Sequence, residues 1–165
     1  MARRPRSSAR PVLVHGTCIA FGANGVLIRG RSGAGKSDLA LRLIDGGARL
    51  VADDQVELTP ARGAPVARGP RAIRGLIEAR GVGIVAVPTR ASARLRLVVD
   101  LVAPRAVPRL PEPRREMIAG TAIPAIALAS FEASAALKVR LALRFGAGST
   151  DPMRAAPRSI RKPKR

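Results

Sequence analysis

Gly30-Arg31-Ser32-Gly33-Ala34-Gly35-Lys36-Ser37 satisfies the pattern G-x-x-x-x-G-K-[ST] without a mismatch. Each residue type at this spacing answers a physical demand. Glycines let the backbone curl round an anion so that successive N–H groups point inward. The lysine brings a point charge to the outer phosphates of a nucleoside triphosphate, and the next hydroxyl suits Mg²⁺. The helix beyond adds the positive end of its dipole. The flanks supply the context the pattern needs. Val26-Leu27-Ile28 reads as an apolar strand, while Leu39, Ala40, Leu43 and Ile44 fall on one helical face. Gly46-Gly47 is a C-cap signal, and Arg49 to Ala52 reads as the next strand. Strand, glycine-rich loop, helix and strand predict an α/β fold, a P-loop-containing nucleotide-binding domain with a mixed sheet and flanking helices. Residues 30–37 are thus the candidates for binding ATP with Mg²⁺.

Working outward, Thr17 to Phe21 looks like a strand, and Gly22-Ala23-Asn24-Gly25 like a tight turn in which Asn-Gly takes up positive φ. Pro60 to Pro70, rich in Pro, Gly and Arg, predicts a mobile loop. Leu95 to Val102 is a nearly continuous apolar run and predicts a strand, whereas Pro104 to Pro113 holds four prolines and predicts irregular chain. Phe131 to Phe145 is ambiguous, being Ala-rich at first and alternating later. The expected organisation is a basic disordered arm over 1–11, one catalytic domain over 12–147 and a basic disordered tail over 148–165.

Apolar residues make up 47% of the chain but aromatics only 2%, so the core must be built from Val, Leu, Ile and Ala. The formal charge of +19 invites a nucleic-acid partner. Much of it, however, sits at the termini: Arg3, Arg4, Arg6 and Arg10 at one end, Arg154 to Arg165 at the other. Charge alone specifies no groove or base contact, and stacking platforms are nearly absent, which argues against nucleic acid. Cys18 is the lone cysteine, which excludes an internal disulfide and a thiolate zinc site and fits a reducing cytoplasm. Met117 to Phe131, the longest mostly apolar stretch, is too short to span a bilayer and contains Pro124. No membrane role is expected.

Phosphoryl transfer needs a carboxylate near the metal and a group that positions or deprotonates the acceptor. Two strands end in acid, Leu97-Val98-Val99-Asp100 and Leu50-Val51-Ala52-Asp53-Asp54. The adjacent pair is the more unusual feature, because buried acids at a strand end need a cation or hydrogen-bond donors. Asp100 reads better as an ordinary strand residue. His15, before Gly16, is on its own more often a structural or surface histidine than a functional one.

These residues resemble the HPr kinase/phosphorylase family, specifically its catalytic domain. Val14-His15-Gly16 is similar to the family's V-H-G, and Gly47-Ala48-Arg49-Leu50-Val51-Ala52-Asp53-Asp54 to its R-G-H-R-L-V-A-D-D. Ile77-Glu78-Ala79-Arg80-Gly81-Val82-Gly83-Ile84 is similar to its L-E-I-R-G-L-G-I, and the segment after Lys36 to its G-K-S-E-T-A-L. The resemblance covers about residues 13–87 and implies a short form, without the extra N-terminal domain of many members. It implies transfer of a phosphoryl group from ATP to a serine of the phosphocarrier protein HPr. Asp54 would then be the base toward the serine and His15 would lie beside it. Lys36 would hold the phosphates, with Ser37 and Glu78 on Mg²⁺. It further implies Arg109 as an active-site arginine and a homo-oligomer, generally a hexamer.

The likeness thins after residue 88. Pro111 stands where the family's R-L-G has glycine, and Leu128 to Ala133 lacks the Gly and the basic residue of the family's P-V-x-x-G-R. The resemblance therefore does not extend to removing the phosphate by phosphorolysis. Two other readings compete: a P-loop kinase for a small molecule, and a non-enzymatic nucleotide-dependent regulatory or nucleic-acid-binding module using the basic tails.

Overall fold

A computed structural model describes residues 10–146. The expected disordered arm (1–11, apart from residues 10 and 11) and basic tail (148–165) lie outside the described residues. The strands are β1 (Val12–His15), β2 (Thr17–Phe21), β3 (Asn24–Arg29), β4 (Arg49–Ala52), β5 (Gln55–Thr59), β6 (Val66–Arg68), β7 (Leu76–Ala79), β8 (Gly83–Ala86), β9 (Ala93–Leu101), β10 (Arg114–Ile118) and β11 (Thr121–Leu128). The helices are α1 (Lys36–Asp45) and α2 (Ala135–Phe145).

Nine strands form one mixed sheet. Its main path runs β1-β5-β6-β9-β3-β2-β4, and β11 pairs with β9 and carries β10. The pairings β3–β9 and β9–β11 are parallel. Arg29 is in register with Asp100, and Asp100 with Ala127, so three strand ends emerge at one level. The phosphate loop leaves from β3 at one end of this row. β7 and β8 form a separate hairpin.

Both faces of the sheet are covered, which explains the apolar runs. On one face Ile19, Val26, Ile28 and Val99 meet Leu39 and Leu43 of α1 and Val139 of α2. Each fully buried leucine there contributes about 1.5–3 kcal/mol relative to exposure. On the other face Cys18, Leu27, Val51 and Val98 pack with Val56 and Leu58 of β5 and Ile123 of β11. Leu95 and Leu97 belong to opposite faces although two residues apart. A register shift opposite Gly25 and Val26 inserts the extra residue, a bulge that reverses the parity of β9.

α1 ends as its glycines predict, with Gly46 N–H donating to Arg42 and Gly47 N–H to Ile44. Two expectations are corrected. Asn24 and Gly25 are not the turn: Phe21 pairs with Asn24, leaving Gly22-Ala23 as the loop, with Gly22 at φ 57. Within the expected loop 60–70, Val66–Arg68 is a strand joining β5 to β9. The ambiguous stretch resolves into a non-helical segment, 131–134, followed by α2.

Candidate active site

The phosphate loop crosses from β3 to α1. Lys36 opens the helix and its Nζ donates to the carbonyls of Gly30 at 2.9 Å and Arg31 at 3.0 Å, holding the ammonium against the loop. Gly35 caps the helix at φ 87, a conformation that an L-residue side chain disfavours. The loop is braced from behind by the segment after β11. Ser130, 3% exposed, donates from Oγ to the carbonyl of Ala34 at 2.6 Å. Arg42 of α1 donates to the carbonyls of Ser130 and, at 3.1 Å, Glu132. Asp38 holds Arg42 one helical turn away at 2.8 Å.

The acid pair arrives on the opposite side, through β2 and β4. Buried Thr17 donates from Oγ1 to Asp53 Oδ1 at 2.7 Å, and Ser37 Oγ lies 3.4 Å from that same oxygen. Asp54 Oδ1 is 3.2 Å from His15 Nδ1, with both side chains well exposed. Asp54 sits at φ 67, a left-handed conformation that Asp tolerates better than most residues. Its carbonyl accepts from Gly16 N–H at 3.1 Å. A Cβ on Gly16 would stand 2.7 Å from the carbonyl oxygen of Ile28, so only glycine lets this strand approach β3 so closely. His15-Gly16-Thr17 is thus one unit whose imidazole, amide and hydroxyl each address the acid pair.

Ser37 Oγ and the Asp53 carboxylate are hard oxygen donors, and Asp54, paired with His15, is the next carboxylate along the chain. Mg²⁺ is commonly held by one or two protein oxygens together with substrate phosphates, so this donor set fits it. Among the described residues no group of three or more His, Cys, Asp or Glu forms a metal cluster by itself. Glu78 is exposed on β7 and Arg109 is exposed in the proline-rich segment. Neither joins the hydrogen-bonded groups at the loop. For Asp53 on the metal side the Asp53-Asp54 adjacency is the signal the sequence offers, whereas nothing in the sequence marks Thr17.

Asp100 behaves as an ordinary strand residue. Arg29 donates to it twice, at 2.7 and 3.0 Å, and Arg114 also pairs with it. Desolvation pushes its carboxyl up, but the two guanidiniums override this and hold it below the ordinary carboxylate range. The hydrogen bond to Asp100 correspondingly raises Arg29. Cys18 is fully buried, and desolvation pushes its thiol up to about 12.

Fold and site together define a P-loop α/β domain with a carboxylate–imidazole pair beside the phosphate loop. The family model for the HPr serine kinase C-terminal domain matches residues 6–129, and the chain belongs to that family. It is 44% identical over 96 residues to an HPr kinase/phosphorylase of Geobacillus sp. (strain WCH70), covering 53% of this chain and 31% of that protein. It is 44% identical over 97 residues to one from Bordetella pertussis, covering 54% and 32%. The chain thus spans about a third of the length of these curated relatives. The solved structure of the Hpr(Ser) kinase/phosphatase from Coxiella burnetii superimposes with a TM-score of 0.68 at 30% identity, covering 78% of this chain and 85% of that one. Among the described residues no helix is long and apolar enough to cross a membrane.

Proposed function

We propose that this chain is an ATP-dependent protein-serine kinase acting on HPr. The observation that supports it best is the placement of the Asp54–His15 pair next to Ser37 and Asp53, at the side of the loop where a terminal phosphate would project. Lys36 would leave its two loop carbonyls for the β and γ phosphates, exchanging neutral acceptors for anionic ones. Asp54, exposed and unencumbered by an arginine, accepts the proton of the incoming seryl hydroxyl as its oxygen attacks the γ-phosphorus and ADP departs. His15 orients that carboxylate. Ser37 and Asp53 would hold Mg²⁺, which when bound neutralises charge on the β and γ oxygens. Glu78 and Arg109 belong to the same proposal through the family resemblance, as a further metal ligand and a phosphate-facing arginine. A cytoplasmic homo-oligomer, a hexamer by that resemblance, completes it.

Only the kinase direction is proposed. The stretch Leu128 to Ala133 has Glu132 and Ala133 where the family's P-V-x-x-G-R has Gly and a basic residue, so it adds no cation for inorganic phosphate. The test is intact mass spectrometry of HPr after incubation with this protein, Mg²⁺ and ATP, alongside Lys36→Ala. One phosphate on an HPr serine, absent with the variant, is the expected result. ATP binding without transfer would sink the kinase assignment.

A further inference from the structure

The acids approach the phosphate loop from the β2–β4 side of β3. On the other side, at the C-terminal ends of β9 and β11, lies a cleft of about 780 Å³. Residues 31–34 of the loop form one wall, 101–104 after β9 the second and 129–132 after β11 the third. Its volume falls in the range of small-molecule sites, and crevices at the carboxyl ends of parallel strands are where open α/β sheets bind ligands. It is continuous with the loop, so a molecule whose phosphates occupy residues 30–37 has its remaining part directed either toward the acids or into this cleft. The acid side is required for the acceptor.

The cleft is mostly apolar, contributed by Leu101, Val102, Ala103, Pro104 and Phe131. Phe131 is 73% exposed, an unusual placement in a chain with three phenylalanines and neither Trp nor Tyr. Its ring lies over the loop: a Cβ built on Gly35 would stand 2.9 Å from a ring carbon. The polar groups of the third wall are already engaged. Ser130 Oγ is bonded to Ala34, Glu132 is paired with Lys138, and the carbonyls of Ser130 and Glu132 accept from Arg42.

We infer that this cleft is the nucleobase subsite, and that it holds the base by apolar contact and stacking on Phe131 rather than by side-chain hydrogen bonds. The inference rests on the nucleotide reading of the phosphate loop. A site built to hydrogen-bond its ligand rejects analogues lacking the partner groups by orders of magnitude, whereas stacking accepts every base because each has a π-face. The cleft therefore discriminates poorly between adenine and guanine nucleotides.

The test is calorimetric titration of the protein with ATP, GTP and inorganic tripolyphosphate in Mg²⁺, repeated with Phe131→Ala and Phe131→Tyr. ATP and GTP are expected to bind within about fivefold of each other. Phe131→Ala should weaken both by about five- to a hundredfold, the range of base–aromatic stacking, while leaving tripolyphosphate unchanged. Phe131→Tyr should restore both. Because the side chain is exposed, its truncation does not threaten the fold. Equal affinities of ATP for the parent and Phe131→Ala would overturn the subsite while leaving the phosphate loop intact. A hundredfold preference between ATP and GTP would overturn base-indifferent binding. Failure of all three ligands to bind would remove the nucleotide reading and the subsite together.

Discussion

Gly35 is where loop conformation, bracing and ligand geometry meet, and replacing it with alanine isolates these effects. At φ 87 an alanine pays the left-handed backbone cost, about 1–2 kcal/mol. Its Cβ would also stand 2.5 Å from Ser130 Oγ and 2.9 Å from the Phe131 ring. Phe131 is exposed and can swing away at little cost. Ser130 is buried, and moving its hydroxyl leaves the Ala34 carbonyl without that donor, costing about a further 1–3 kcal/mol. The sum is about 2–5 kcal/mol, or a fall in Tm of roughly 5–15 °C for a chain of this size. Gly33 provides the control: it has φ 76 and open space where its Cβ would go, so Gly33→Ala bears the backbone cost alone. In a Ser130→Ala background the obstructing oxygen is gone, and Gly35→Ala should fall to the cost of Gly33→Ala. Thermal and urea unfolding followed by circular dichroism would measure the four-way cycle, with an expected coupling of about 1–3 kcal/mol. Equal costs at Gly33 and Gly35, additive with Ser130→Ala, would refute the idea that segment 129–132 braces the loop.

Asp54→Asn should lower phosphoryl transfer to HPr by about 10²–10⁴-fold with ATP affinity retained, read from single-turnover rates beside a binding isotherm. Asp53→Asn should instead raise the Mg²⁺ concentration needed for half-maximal nucleotide binding, because Asp53, not Asp54, shares its oxygen's surroundings with Ser37. Asp100, held below its ordinary value, contributes stability that is present above its unfolded pKa of about 4 and lost as pH falls through the folded value. Asp100→Asn should therefore cost about 2 kcal/mol near neutrality, and the gap from the parent should close in urea titrations below about pH 4. Cys18, buried and with its thiol pushed up to about 12, should resist a thiol reagent at pH 8 in the folded protein and react at once in denaturant.

What was legible in the sequence was what local chemistry dictates. The loop pattern, the amphipathic α1 and the Gly46-Gly47 stop follow from spacing and backbone freedom, and each is found where the residues place it. Asn-Gly is the stronger local turn signal in Gly22-Ala23-Asn24-Gly25. The pairing of Phe21 with Asn24 and the fit of Gly25 against Ala93 and Arg94 of β9 are tertiary and override it. β6 was hidden for a similar reason: Val66–Arg68 is only three residues long, and its strand character comes from β5 and β9 on either side. The ladder of Arg29, Asp100 and Arg114 joins residues far apart in sequence, and no local pattern announces it.

The choice between Asp100 and the Asp53-Asp54 pair shows how burial and partners decide what spacing leaves open. Asp100 closes an apolar run beside the strand that feeds the phosphate loop, and spacing alone does not decide between it and the acid pair. Two guanidiniums already satisfy its oxygens, and diverting it to a cation would leave half-buried Arg29 with only the longer contact to Glu116 at 3.6 Å. Asp53 receives only the neutral hydroxyls of Thr17 and Ser37, and Asp54 only an exposed imidazole. Their remaining lone pairs stay available for a cation or a proton. A carboxylate is available for chemistry to the extent that the fold has not already neutralised it, and that criterion favours the side of His15 proposed above as the reactive one.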